Sequence, residues 1–272
     1  MTTTMTLPLA ELAGTDLGEH TVRYEDTTVI LYALSVGASP SDLDLVYERG
    51  LRTLPTYACA LGLWAVEATG RLGAYDPKRS LHASQRLVMH KPLPAAGSIV
   101  MTGRVANVYD KGKASIVEIE AASEFFTATY NIFLPGIGGW GGDRGPSASR
   151  EERPDPVRSS TFQTSGNLAA LYRLTGDRHP IHIDPAVAAA NGFDRPILHG
   201  LCTLGIAVRE AAAQTGAHPA DLTELDVRLS APVLPGQQLE ITSAERDGRT
   251  YFGATAGETT VLSGGTATFR RS

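Results

Sequence analysis

Apolar and polar positions alternate along residues 115–120 (Ser-Ile-Val-Glu-Ile-Glu), and residues 125–133 form a run of aromatic and β-branched side chains. Residues 251–256 and 259–269 read the same way, so four strands are expected. Two shorter alternating pieces, residues 99–102 and 239–242, each follow a Pro-rich corner: Lys91-Pro92-Leu93-Pro94 in one case, Ala231-Pro232-Val233-Leu234-Pro235-Gly236 in the other. Helical spacing takes over at Leu168, Ala169, Leu171, Tyr172 and Leu174, which predicts a helix capped by Ser165 and ended by Gly176. Asp184-Pro185 reads as the N-cap and first position of a short helix to about residue 190. The apolar segment 197–214 is long enough for a buried helix starting at His199-Gly200. One main helix followed by strands on short turns argues an antiparallel sheet wrapped on a helix, hence α+β.

The pattern occurs twice. Tyr32-Ala33-Leu34-Ser35-Val36-Gly37 aligns with Tyr172-Arg173-Leu174-Thr175-Gly176-Asp177, and Pro40 follows as Pro180 does. Residues 54–62 align with 197–205, placing Cys59 on Cys202, and each copy continues into its Pro-rich corner and strand. Between the copies lies a Gly-rich stretch, residues 136–146, that runs into a Ser/Arg/Glu/Pro segment. We therefore divide the chain into a first repeat (1–135), a linker (136–155) and a second repeat (156–272). The Gly-rich stretch lacks the strand-to-helix context of a dinucleotide fingerprint.

Composition narrows the function classes. The 272 residues are 42% hydrophobic and 19% charged, as in a globular chain with a substantial core. A net charge of −5 without a basic run argues against a nucleic-acid partner. Two cysteines in apolar surroundings point to a reducing compartment rather than to a disulfide. No run is long enough to span a bilayer, the first residues lack a secretory pattern and the last lack a Ser-Lys-Leu-type address, so a cytoplasmic location without membrane contact is expected.

Candidate chemistry sits in the second repeat. Asp177 falls on the turn after a helix, His182 follows five residues later in the bend before the next, and Gly200 opens the long helix, where an unobstructed N–H backed by the helix dipole suits a developing oxyanion. Asp184 reads as a cap, and His199 as a structural hydrogen-bonding group at the helix start. The first repeat carries Gly37, Asp42 and Tyr57 where the second carries Asp177, His182 and Gly200, so only the second is equipped for chemistry. A carboxylate and an imidazole together supply a charged acceptor and a group able to give or take a proton near neutral pH.

The block from Tyr172 to His182, continued by Pro196-Ile197-Leu198-His199-Gly200-Leu201-Cys202-Thr203, resembles the signature of the MaoC-like, or type 2, (R)-specific enoyl-CoA hydratases. Residues 42–48, Leu54-Pro55-Thr56, Leu81-His82-Ala83 with Lys91-Pro92-Leu93-Pro94, and Asp110-Lys111-Gly112 resemble landmarks of the family's N-terminal half. The resemblance implies a double hot dog fold and syn addition of water to a trans-2-enoyl-CoA, giving a (3R)-3-hydroxyacyl-CoA, with no metal and no cofactor beyond the CoA of the substrate. It implies that Asp177 and His182 are the catalytic pair, with the division into acid and base left open, and that the Gly200 N–H binds the thioester oxygen. It further implies acyl-CoA contacts from His82 and Ala83, a CoA contact from Lys111, Leu229 where an aromatic ring usually lines the site, and a homodimer. His179 stands where the family has Asn; it is expected to orient water or substrate and to shift the pH profile. A thioesterase and a catalytically weak acyl-CoA-binding protein are the alternatives.

Overall fold

A computed structural model describes residues 7–146 and 152–270. The first repeat runs β1 (Asp16–Tyr24), α1 (Asp26–Ser35), α2 (Leu43–Val46), α3 (Tyr57–Leu61), α4 (Trp64–Arg71), β2 (Leu81–Met89), β3 (Gly97–Asp110), β4 (Ala114–Ala122) and β5 (Phe126–Pro135). The second runs β6 (Arg158–Gln163), α5 (Leu168–Tyr172), α6 (Pro185–Ala190), α7 (Gly200–Thr215), β7 (Leu222–Leu229), β8 (Gln238–Arg246), β9 (Arg249–Ala256) and β10 (Thr259–Phe269). All strand pairings are antiparallel, in one sheet of order β1-β3-β4-β5-β2-β7-β10-β9-β8-β6. Read from either end, that order is the same under the exchange of β1–β5 for β6–β10. The internal repeat is thus a structural one, and β2 and β7 form its seam: the double hot dog architecture that the resemblance implied.

Alternation explains the core. Along β4 and β5 every second side chain is buried, including Val117, Ile119, Phe126, Ala128 and Tyr130, and these face the helices with Leu201, Leu204, Ile206 and Val208 of α7 in one continuous cluster. Gly205 of α7 lies where a Cβ would come within 2.6 Å of Val36 Cγ1 and 3.0 Å of the Tyr32 hydroxyl, so α1 and α7 touch backbone to side chain across the two repeats. Gly205→Ala should cost about 1–3 kcal/mol of stability. Chemical denaturation measures it, and an unchanged midpoint would refute the close approach.

The main helix differs between the repeats. Helix α7 runs unbroken from Gly200 to Thr215 and ends on left-handed Gly216 (φ 74°). Its counterpart is broken into α3 and α4 at Gly62, which leaves room for the Tyr130 ring, whose hydroxyl donates to the Cys59 carbonyl at 2.7 Å. The expected helix over 165–176 is shorter: α5 covers Leu168–Tyr172 and tightens into a 3-10 turn at Arg173–Thr175, where the Thr175 hydroxyl donates to the Tyr172 carbonyl. Ser165 does not cap it; its hydroxyl meets the Asn167 side chain instead. Asp184 does cap α6, accepting from the N–H groups of Ala186 and Val187.

The Gly-rich stretch is pinned to the first repeat over residues 136–146. Asp110 Oδ1 accepts from the N–H groups of Gly112 and Gly139 and Oδ2 from that of Gly141, each at 2.8 Å. Donors led by Gly139 pull the Asp110 carboxyl down to about 2. Trp140 Nε1–H donates to the Ser115 hydroxyl at 2.9 Å. Residues 147–151 of the expected linker, and the terminal residues read for targeting signals (1–6, 271 and 272), lie outside the described residues. Cys59 and Cys202 are buried free thiols, raised by burial, Cys59 to about 12. Among the described residues no helix is long and apolar enough to cross a membrane.

Candidate active site

The segment after α5 is a chain of short turns, and each turn fixes one polar atom. Gly176, at φ 144°, ends the 3-10 turn and releases Asp177 into the bend. Asp177 Oδ1 then accepts the His179 N–H at 3.1 Å, which leaves Oδ2 to face inward. Pro180 opens a 3-10 turn that delivers His182, whose Nδ1 lies 2.9 Å from the Ile197 carbonyl. A carbonyl only accepts, so Nδ1 carries the proton of the neutral ring and Nε2 presents its lone pair. Nε2 stands 4.0 Å from Asp177 Oδ2, with both side chains nearly buried (11% and 13% exposed). That separation is too wide for a direct hydrogen bond, yet one oxygen about 2.8 Å from each atom fits between them.

His199 joins this pair. It is 1% exposed, its Nε2–H donates to the Asp177 main-chain carbonyl at 3.1 Å, and its ring stacks on that of His182 with centroids 3.6 Å apart and planes at 24°. The nearest donor atoms of Asp177, His182 and His199 all lie within 4.8 Å of one another, a set that invites comparison with a metal centre. Imidazole lone pairs lie in the ring plane, so two nearly parallel stacked rings direct theirs side by side rather than toward one point. The arrangement suits proton transfer better than chelation.

Gly200 is the first residue of α7, and its N–H belongs to the turn that has no intrahelical acceptor. A Cβ there would stand 2.3 Å from Leu229 Cδ2, so Leu229 of β7 lies directly over Gly200. His82 lies on β2, close enough for the Asp177 carboxylate to act on its ring; its Nε2–H donates to the Ser84 carbonyl at 3.1 Å. The β2–β5 register slips between His82 and Ser84, so Ala83 is the extra residue of a bulge that turns His82 relative to the strand. The structure therefore gathers Asp177, His182, Gly200, Leu229 and His82, with Ala83 behind them. Lys111 is placed elsewhere: it lies on the β3–β4 turn, donating to the Arg144 carbonyl and standing 5.2 Å from the Tyr109 ring. His179 is exposed; its Nδ1 accepts the Ile181 N–H at 3.3 Å, a capping role open equally to an Asn side-chain oxygen. Sequence reasoning assigned His199 only a structural part, because stacking on His182 leaves no trace in residue spacing.

Burial sets the protonation states. It lowers His199 to about 3, with the neighbouring His182 adding to the effect, and His82 to about 4; it also lowers His182, against the opposing pull of Asp177. All three rings are therefore neutral at pH 7 in the folded chain. Below about pH 6.5 the unfolded chain binds protons that the folded chain refuses, so stability is full above that pH and falls as the pH drops toward 3. Thermal melts at pH 7 and pH 4.5 should show a loss on the order of a few kcal/mol, and His199→Gln should reduce that slope. A melting temperature flat across the interval would contradict the buried neutral rings.

Comparison with known proteins gives the fold and site a family. A profile of the MaoC like domain matches residues 148–266, and one of the MFE-2 hydratase 2 N-terminal domain matches residues 22–133. The 3-hydroxyacyl-thioester dehydratase Y of Mycobacterium tuberculosis is 38% identical over 233 residues, covering 79% of this chain and 80% of that protein. The chain belongs to the MaoC-like hydratase 2 family. Another relative of this MaoC-like chain, the peroxisomal multifunctional enzyme type 2 of Drosophila melanogaster, is 35% identical over 90% of the chain; the chain spans only 45% of that longer protein. A crystal structure of a MaoC-like dehydratase from Phytophthora capsici superimposes with a TM-score of 0.86 at 27% identity, covering 96% of this chain and 97% of the other.

Proposed function

We propose that this MaoC-like protein adds water to trans-2-enoyl-CoA thioesters to give (3R)-3-hydroxyacyl-CoA, and catalyses the reverse dehydration, in fatty acyl or sterol side-chain metabolism. The carrying observation is the 4.0 Å separation of His182 Nε2 and Asp177 Oδ2 beside the opening N–H of α7. A water held between the two atoms gives one proton to His182 Nε2 as its oxygen attacks C3. The electron pair of the C2–C3 double bond moves onto the thioester, whose oxygen takes a hydrogen bond from the Gly200 N–H. The Asp177 carboxylate accepts the second water hydrogen bond and faces the imidazolium as it forms. His182 then returns its proton to C2 on the same face, so one water is consumed and both its parts stay in the product. Loss of one oxyanion donor costs about 3 kcal/mol in such a barrier. No step draws on a metal or a redox cofactor.

His82 and Ala83 at the β2 bulge and Leu229 over Gly200 contact the acyl-CoA in this reading, while His179 holds the turn that carries Asp177. Lys111 meets the CoA only if the nucleotide end reaches the β3–β4 turn. The first repeat binds and shapes the substrate channel, and the second reacts. The same proposal takes the protein as a cytoplasmic homodimer without nucleic-acid or membrane partners, which light scattering and cell fractionation check.

Purified protein incubated with crotonyl-CoA and with a medium-chain trans-2-enoyl-CoA should lower the conjugated thioester absorbance to an equilibrium level and yield the (3R) alcohol. Release of free CoA would make it a thioesterase instead. Binding without turnover of either substrate would make it an acyl-CoA-binding protein.

A further inference from the structure

We infer that His199 is a positioning residue that holds the Asp177 backbone, the His182 ring and the opening N–H of α7 in one register. Each tie is a separate contact. The Nε2–H bond to the Asp177 carbonyl fixes the turn from which the carboxylate projects. The stack on His182 fixes the plane in which Nε2 points, while Ile197 fixes only the other ring nitrogen. As N-cap of α7, in an extended conformation (φ −60°, ψ 132°), His199 shares its peptide bond with the Gly200 N–H. A residue that touches three parts of a site at once transmits any displacement of one to the others.

The ring is anchored in turn by a column of aromatic side chains. His199 packs on Tyr172 with centroids 4.8 Å apart, Tyr172 on Tyr32 at 5.9 Å, and Tyr32 on Tyr57 at 4.9 Å. Tyr172 and Tyr32 occupy equivalent positions in the two repeats, so the column crosses from the first repeat to His182. The His199 Nδ1 is buried without a hydrogen-bond partner in the structure. An imidazole with one orphaned nitrogen is a poor choice for filling a core, because an apolar ring of similar size would avoid that cost. What it gains is an N–H on one edge and a flat face for stacking, both directed at the site.

The kinetic part of this inference rests on the hydratase reading; the structural part does not. Two variants separate the ties. His199→Gln retains a donor toward the Asp177 carbonyl and removes the stack, whereas His199→Phe retains the stack and removes the donor. Each should lower kcat by about tenfold or more with KM changed less than about threefold, since misplaced reacting groups penalise the chemical step more than binding. Histidine ring NMR titration gives a readout independent of turnover. Asp177 and His179 act on His182, over which the His199 ring is stacked, while His182, Asp177 and Arg173 act on His199, and Asp177 on His82. With those neighbours unchanged, loss of the covering ring in His199→Gln should move the His182 midpoint up by about half a pH unit or more, toward its free value; in His199→Phe it should stay. Both variants melting cooperatively, with wild-type kcat and an unmoved His182 midpoint in each, would reduce His199 to a core filler and overturn the inference. If the wild type hydrates no enoyl-CoA, the hydratase reading fails and the NMR shift alone decides the positioning role.

Discussion

Asp177→Asn lowers kcat for trans-2-enoyl-CoA hydration by about 10³-fold, since the acid–base step of His182 depends on the carboxylate that holds the water and faces the imidazolium. The substitution keeps the side-chain volume and the Oδ1 acceptor that takes the His179 N–H at 3.1 Å, so the turn survives. What changes is the atom 4.0 Å from His182 Nε2. With the amide nitrogen there, a donor faces the lone pair that should meet water, and the negative charge opposite the developing imidazolium is gone. Substrate binding, which relies on the pocket walls, persists, so the loss falls on kcat rather than KM. The melting temperature should move by less than about 4 °C, as for a loss of under 1 kcal/mol. A kcat within tenfold of wild type, measured by enoyl thioester absorbance, would remove Asp177 from the reaction.

His182→Gln produces a loss of about 10²- to 10⁴-fold and, in addition, alters the shape of the pH profile. In the wild type the reactive form is the neutral ring, held by its Nδ1–H bond to Ile197. Burial lowers the His182 pKa, so the acid limb of kcat/KM lies below about pH 6.5, and the rate falls as the pH drops through it because protonated Nε2 accepts nothing. Glutamine does not titrate, so the residual activity of the variant should lack this limb. Stopped assays between pH 5 and pH 8 separate the outcomes: an acid limb retained unchanged in His182→Gln would assign it to another group.

The sequence carried much of this arrangement, for identifiable reasons. The offset of 140 residues between Tyr32 and Tyr172 anticipates the mirrored strand order, since two copies of one unit pack about a common seam. Strands β4, β5, β9 and β10 are legible because one face of each is buried, which imprints alternation. The terminal strands β1 and β6 are not: their positions are mostly exposed, so nothing forces a period of two. Strands β2 and β7 carry Arg86, Asp226 and Arg228 on their outer face, and their pairing with each other depends on contacts about 140 residues apart. Asp177, His182 and Gly200 were legible because turn and cap chemistry places them locally. The stacking of His199 and the approach of Leu229 to Gly200 arise only when α7 meets the sheet and the turn after α5. Likewise the break between α3 and α4 at Gly62 is reinforced by the Tyr130 hydroxyl, some 70 residues away, which donates to the Cys59 carbonyl.

Tyr57 is 2% exposed at the start of α3, where the second repeat has Gly200, and Gly37 lies under the Phe162 ring and Arg209, where the second repeat has Asp177. In the first repeat the positions equivalent to Gly200 and Asp177 are therefore filled or covered by side chains. Equilibrium dialysis with an acyl-CoA should accordingly saturate at one ligand per polypeptide, although the architecture is built twice. Duplication thus yields an asymmetric pair, in which the proposed chemistry falls to one half of the chain and the walls of the substrate channel to the other.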